Sequence, residues 1–178
     1  MPSVLSHPAV PLGIAAAAGR RIVPGGLVLL ACAASVLPDA DAVGFWAGVP
    51  YDAPLGHRGF THSLTFAALV ALSAVPFAKR LRSRPGTVLA AVFLAAASHG
   101  LLDAMTTGGL GVAFFSPFSN RRYFLPWRVI EVSPIGVNGF FSARGSEILA
   151  SELVWIWIPA AAVGVLGAAA RRRARERV

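Results

Sequence analysis

An all-α bundle that threads a membrane about five times follows from three features of this sequence. Of its 178 residues, 56% are hydrophobic and 13% charged, whereas about a quarter of residues are charged in soluble domains. The apolar residues gather into runs of helical length, at about 4–19, 22–37, 63–78, 87–102 and 148–170. The sixteen Lys and Arg outnumber the eight Asp and Glu, and eleven of the sixteen fall in three clusters that flank these runs: Arg20-Arg21, Lys79 to Arg84 and Arg171 to Arg177. Clustered cations beside apolar runs are topology signals of a membrane protein, so the charge of +8 does not predict a nucleic-acid partner. The length suits one domain over residues 1–178.

The first run, 4–19, would reach about 25 Å as a helix, marginal for a hydrocarbon core of about 30 Å. Pro8 and Pro11 are tolerable only near a helix start, which places that start close to His7. No charge precedes the run, so the basic start of a signal peptide is missing. The second run, 22–37, holds the single Cys32, which forms no internal disulfide. It is expected to end at Pro38, because the residue before a proline is pushed out of helical geometry. Asp39 and Asp41 would then lie in an extended stretch, pointing the same way and repelling each other unless a cation sits between them; a solvated turn is the alternative.

Residues 42 to 60 form a Gly, Pro and aromatic loop that carries His57-Arg58-Gly59-Phe60-Thr61-His62-Ser63. His57 and His62 converge only if the first lies in the loop and the second in the opening turn of the third run, 63–78, with Thr61 as its N-cap. In the fourth run, 87–102, His99 and Asp103 are spaced i, i+4 and face one side a turn apart. That spacing suits two ligands of one metal or a simple His–Asp pair. The loop 104–146 mixes aromatic residues with Arg121, Arg122 and Arg128, as an interfacial segment does. Its Gly108-Gly109-x-Gly111 follows no strand and is no nucleotide fingerprint. The last run, 148–170, is a full span.

The positive-inside rule puts all three basic clusters on one side if the runs alternate with the N-terminus out and the C-terminus in. All four histidines then land on the outer side with seven of the eight carboxylates; Glu176 alone is inside. The histidines did not set the topology, so their segregation is independent of it. His7, Asp39, Asp41, His57, His62, His99 and Asp103 therefore form an expected metal site at the outer end. Imidazole with carboxylate suits zinc, and also manganese or iron. Seven candidates exceed one structural zinc, so one to three divalent ions are expected. Arg58, Arg121, Arg122 and Arg128 escape the inside bias and are placed to neutralise an anionic substrate.

At these residues the sequence resembles the YdjM-like family of membrane-bound metal-dependent hydrolases. The match rests on His7, Pro38-Asp39-x-Asp41, His57-Arg58-Gly59-x-Thr61-His62-Ser63, Ser98-His99-x-x-x-Asp103-x-x-Thr106 and Ser116-Pro117-Phe118-Ser119, in order along nearly the whole chain. A looser similarity exists to zinc-dependent phospholipase C, which gathers His and Asp from several helices; this chain is shorter and lacks a second helical His-x-x-x-Asp/Glu set. The resemblance implies an integral protein of a bacterial inner membrane. It also implies a hydrolase cleaving an ester or phosphoester of a lipid or lipid-linked substrate through metal-activated water, with Asp41, His62 and Arg58 as its catalytic residues. The alternative is a membrane protein that binds or passes a metal ion without catalysis. A transporter would carry ionisable groups along its path to both sides, and the inner halves of these runs have none.

Overall fold

A computed structural model describes residues 1–133 and 143–177, without the side chain of Ala143. α1 (Ala9–Ala18) begins after Pro8 and ends at Gly19. α2 (Gly25–Val36) follows Pro24 and does not stop at Pro38. It tightens into a 3-10 turn over Leu37–Ala42 and continues as α3 (Val43–Trp46). The expected extended Asp-x-Asp is thus corrected. Pro38 sits in the first turn of the 3-10 segment, where proline is tolerated. At three residues per turn, side chains two apart diverge by about 120°, so Asp39 and Asp41 approach the histidines from different sides, at His62 Nε2 and Nδ1 respectively.

A 3-10 turn over Phe60–His62 leads into α4 (Leu64–Ala74), which a further 3-10 turn extends over Val75–Phe77. The N-cap is Ser63 and not the expected Thr61: Ser63 is extended, and its hydroxyl accepts the Phe66 N–H at 3.0 Å. α5 (Pro85–Ala104) opens on a proline and is longer at both ends than the run that predicted it. The last helix is continuous, from α6 (Ala143–Glu152) through a π turn (Leu153–Trp157) to α7 (Ile158–Glu176). Pro159 lies inside it without an N–H to donate, and the wider turn just before it makes room for the ring. The helix starts before residue 148 and outlasts residue 170, which shortens the expected 104–146 loop; residues 134–142 of that loop lie outside the described residues.

Among the described residues there is no strand, only the isolated bridges Thr106–Ile130 and Val112–Tyr123. Three helical stretches, Gly25–Trp46, Pro85–Ala104 and Arg144–Glu176, are long and apolar enough to cross a membrane. Ala9–Ala18 and Leu64–Phe77 are apolar but shorter. The five expected runs are all helical, then, but of two lengths.

α2 and α4 pack on α5 through Leu27, Ala34, Ala71, Val88 and Val92. α1 packs on α7 by backbone approach: a Cβ on Gly13 would lie 2.5 Å from the Ala160 carbonyl oxygen, and one on Gly167 2.5 Å from Ala17 Cβ. In lipid, where tails compete for apolar contact, small residues at such seams let helices associate through close packing. The alternation brings the start of α1, the end of α2, the start of α4 and the end of α5 to one end of the bundle. The three basic clusters share the other end, where their residues line adjoining cavities.

Candidate metal centre

The four histidines and three aspartates singled out in the sequence lie together at the first of these ends. His99, one turn from the end of α5, sets the orientation of the rest. Its Nδ1 is 2.7 Å from the Ser35 carbonyl oxygen, an acceptor only, so Nδ1 carries the proton and Nε2 presents its lone pair. That Nε2 lies 3.1 Å from His62 Nε2 and 3.3 Å from Asp39 Oδ1. The His7 ring stacks on His99 with centroids 3.7 Å apart, and its Nε2 is 4.0 Å from Asp39 Oδ2.

Asp41 works from behind the imidazoles. Its Oδ1 accepts from His57 Nδ1 at 2.7 Å, and its Oδ2 accepts from the Thr61 hydroxyl at 2.6 Å and lies 3.1 Å from His62 Nδ1. A carboxylate so placed fixes ring orientation and raises imidazole basicity, the arrangement found behind many metal-bound histidines. Asp103 Oδ2 faces His62 Nε2 at 3.4 Å, His99 Nε2 at 4.0 Å and Arg58 Nε at 3.1 Å. Burial lowers the pKa of His62, but the carboxylates of Asp103, Asp39 and Asp41 around it outweigh that and raise the value to about 10.

Both ring nitrogens of His7 and both oxygens of Asp39 and of Asp103 are buried without a hydrogen-bond partner. Six such atoms in one cluster would be costly in an apolar interior, and cations taking one atom from each residue would offset much of that cost. Two groups have ligand atoms all within 4.8 Å of one another: Asp39, His57, His62 and Asp103, and His7, His99 and Asp103. The donor set and its orphaned atoms therefore fit divalent metal, and Asp103 belongs to both groups.

The arginines are largely committed within the protein. Arg58 is fully buried, with a left-handed φ of +63°. Beside its ion pair to Asp103 it donates to the Gly108 carbonyl at 3.0 Å and the Thr106 hydroxyl at 3.1 Å. Arg122 donates to the carbonyls of His57 and Tyr51, each at 2.9 Å, and so ties the loop to the histidine motif. Arg128 donates to the carbonyls of Thr106 and Thr107 and lies over the Phe124 ring at 3.8 Å. Arg121 lies over the Tyr123 ring and is exposed.

Sequence reasoning missed Glu152. Its carboxylate, buried where the π turn begins, accepts from the Ser3 backbone N–H and from the Ser3 and Ser6 hydroxyls, both at 2.6 Å. Trp157 Nε1 donates to Ser6 Oγ at 3.0 Å. This latch holds the segment that carries His7, and its one signal was a carboxylate next to a long apolar run.

The model of the YdjM inner membrane protein family matches residues 1–174. The inner membrane protein YbcI of Escherichia coli (strain K12) is 43% identical over 161 residues, which cover 89% of this chain and 92% of that protein. No solved structure matches the chain. With three helices fit to cross a bilayer and a match over nearly its full length, the chain belongs to the YdjM inner membrane protein family.

Proposed function

We propose that this integral inner membrane protein is a metal-dependent hydrolase that cleaves an ester or phosphoester of a lipid or lipid-linked substrate at the outer face. The observation that carries the reading is the cluster of orphaned ligand atoms on His7, Asp39 and Asp103 beside His57, His62 and His99. Asp39, His57, His62 and Asp103 would hold one ion and His7, His99 and Asp103 a second, with zinc favoured by the ligand set. When bound, such ions supply Lewis acidity and lower the pKa of water toward about 7. Asp41 holds His57 and His62 in register, its Oδ2 3.1 Å from His62 Nδ1, and so orients both rings as ligands. Arg58 holds Asp103 in place. Contact with an anionic substrate falls to the exposed Arg121 and Arg128.

Access from the bilayer is supported by apolar side chains exposed at this end, among them Trp46, Phe118 and Trp127, which are 89%, 88% and 74% exposed. Rings at headgroup depth anchor an interface and would hold the centre where lipid esters lie. The test is metal analysis of the purified protein, followed by release of phosphate or fatty acid from native lipids with and without chelator. Metal-loaded protein that releases neither overturns the hydrolase. A carrier is the second reading, favoured by the commitment of Arg58 and Arg122 to the protein itself; it predicts metal uptake into sealed vesicles with no lipid turnover.

A further inference from the structure

At the end of the bundle opposite the histidines, a cavity of about 310 Å³ opens between the turn after α1 and the last turns of α7. Arg20, Arg21, Arg171, Arg172 and Arg175 line it, with no acidic residue among the described ones. Arg171 Nη1 is buried there and has no hydrogen-bond partner among the described residues. Gly19 makes this possible. Its φ is +82°, and a Cβ would lie 3.0 Å from Arg171 Nε, so the bare turn lets the guanidinium lie against the backbone. A buried guanidinium nitrogen without an acceptor costs free energy that a phosphate oxygen recovers.

At Ala168 the cavity meets an apolar groove of about 430 Å³ running between α1 and α7. Leu12, Ala16, Ala161 and Val165 form its walls. A wider basic cavity nearby, which shares Arg21, is lined by Lys79, Arg82, Arg84 and polar residues, with Ile22 its one apolar contributor. Only the first therefore joins cations to a long apolar surface, which is the shape of an amphiphile.

We infer that this is a binding site for an anionic phospholipid, its phosphate among Arg20, Arg171 and Arg172 and one acyl chain in the groove between α1 and α7. Basic pockets between helices recognise such headgroups by charge, and the groove adds selectivity for a lipid over a free ion. The bound lipid bridges the first and last helices and stiffens the seam between them. It is independent of the metal centre at the far end.

The test uses the purified full-length protein in neutral detergent. Native mass spectrometry measures retention of phosphatidylglycerol, phosphatidylcholine of matched chains and inorganic phosphate. Phosphatidylglycerol should be held about tenfold more tightly than either of the others. Arg171→Gln should lower its retention by about tenfold, and so should Ala161→Phe, which fills the groove from an exposed position and leaves the charge intact. Arg80→Gln removes the same charge at the same end but outside the cavity, and should change nothing. Equal losses from Arg80→Gln and Arg171→Gln would reduce the site to a generally basic surface and overturn the inference. Equal retention of the two lipids would also overturn it, as would inorganic phosphate binding as tightly as phosphatidylglycerol.

Discussion

Asp103 stands where the two candidate ligand groups meet, with a buried arginine beside it. Asp103→Ala should therefore strip both ions, whereas His7→Ala should remove one and leave the group around Asp39, His57 and His62 loaded. Metal-to-protein ratios by mass spectrometry, with helicity checked by circular dichroism, decide this; equal losses from the two variants would refute the two-group arrangement. Arg58 belongs to the same argument. Removing one partner of a buried ion pair costs about 3–5 kcal/mol, so Arg58→Ala should lower both the melting temperature and the metal content. Arg121→Ala, at an exposed position, should leave both unchanged while slowing capture of an anionic lipid by about tenfold. A proton also competes with metal. His62 is raised to about 10 by its carboxylates, so near neutral pH a cation must displace its proton. Metal affinity should then rise between about pH 6 and about pH 9 with proton release, readable by calorimetry in buffers of different ionisation enthalpy.

Helices announce themselves through hydropathy, and each apolar run did become one. Their ends depend on events that hydropathy does not record. Pro38 reads as a stop only if the chain must remain α-helical; a 3-10 turn accepts it, and so α2 carries Asp39 and Asp41 onward without a break. Thr61 and Ser63 both suit a cap by residue type; the Thr61 hydroxyl donates to Asp41, and Ser63 caps the helix. The clustering of the four histidines with Asp39, Asp41 and Asp103 was legible because imidazoles and carboxylates are rare in so apolar a chain and segregate to one end. The arginines were harder to read, since nothing in a sequence shows which loop carbonyls lack donors, and Arg122 and Arg128 fill that need. Glu152 escaped for the same reason, its partners being two serines about 150 residues away. Glu152→Ala would leave those donors buried and unpaired, at about 1–3 kcal/mol each, and should release the segment that carries His7. Metal content should fall to that of His7→Ala and no further; full retention would show that the latch does not position His7.

The whole molecule is polarised, with histidines and carboxylates at one end and clustered arginines at the other. Reporter fusions after Arg84 and after Ser119 should accordingly register opposite sides of the membrane. The same side for both would break the five-crossing topology while leaving the local geometry of the cluster intact. The seam between α1 and α7 also bears on how the protein is made. α1 finds its packing surface, Ala160 and Gly167, only after α7 has been translated. Until then α1 waits in the bilayer with Gly13 uncovered and His7 unplaced. A chain halted after α5 would hold Asp39, His57, His62, His99 and Asp103 but not the latch on Glu152. His7 is thus fixed only once α6 and α7 have been made, so assembly of the cluster depends on residues translated after all of its other members.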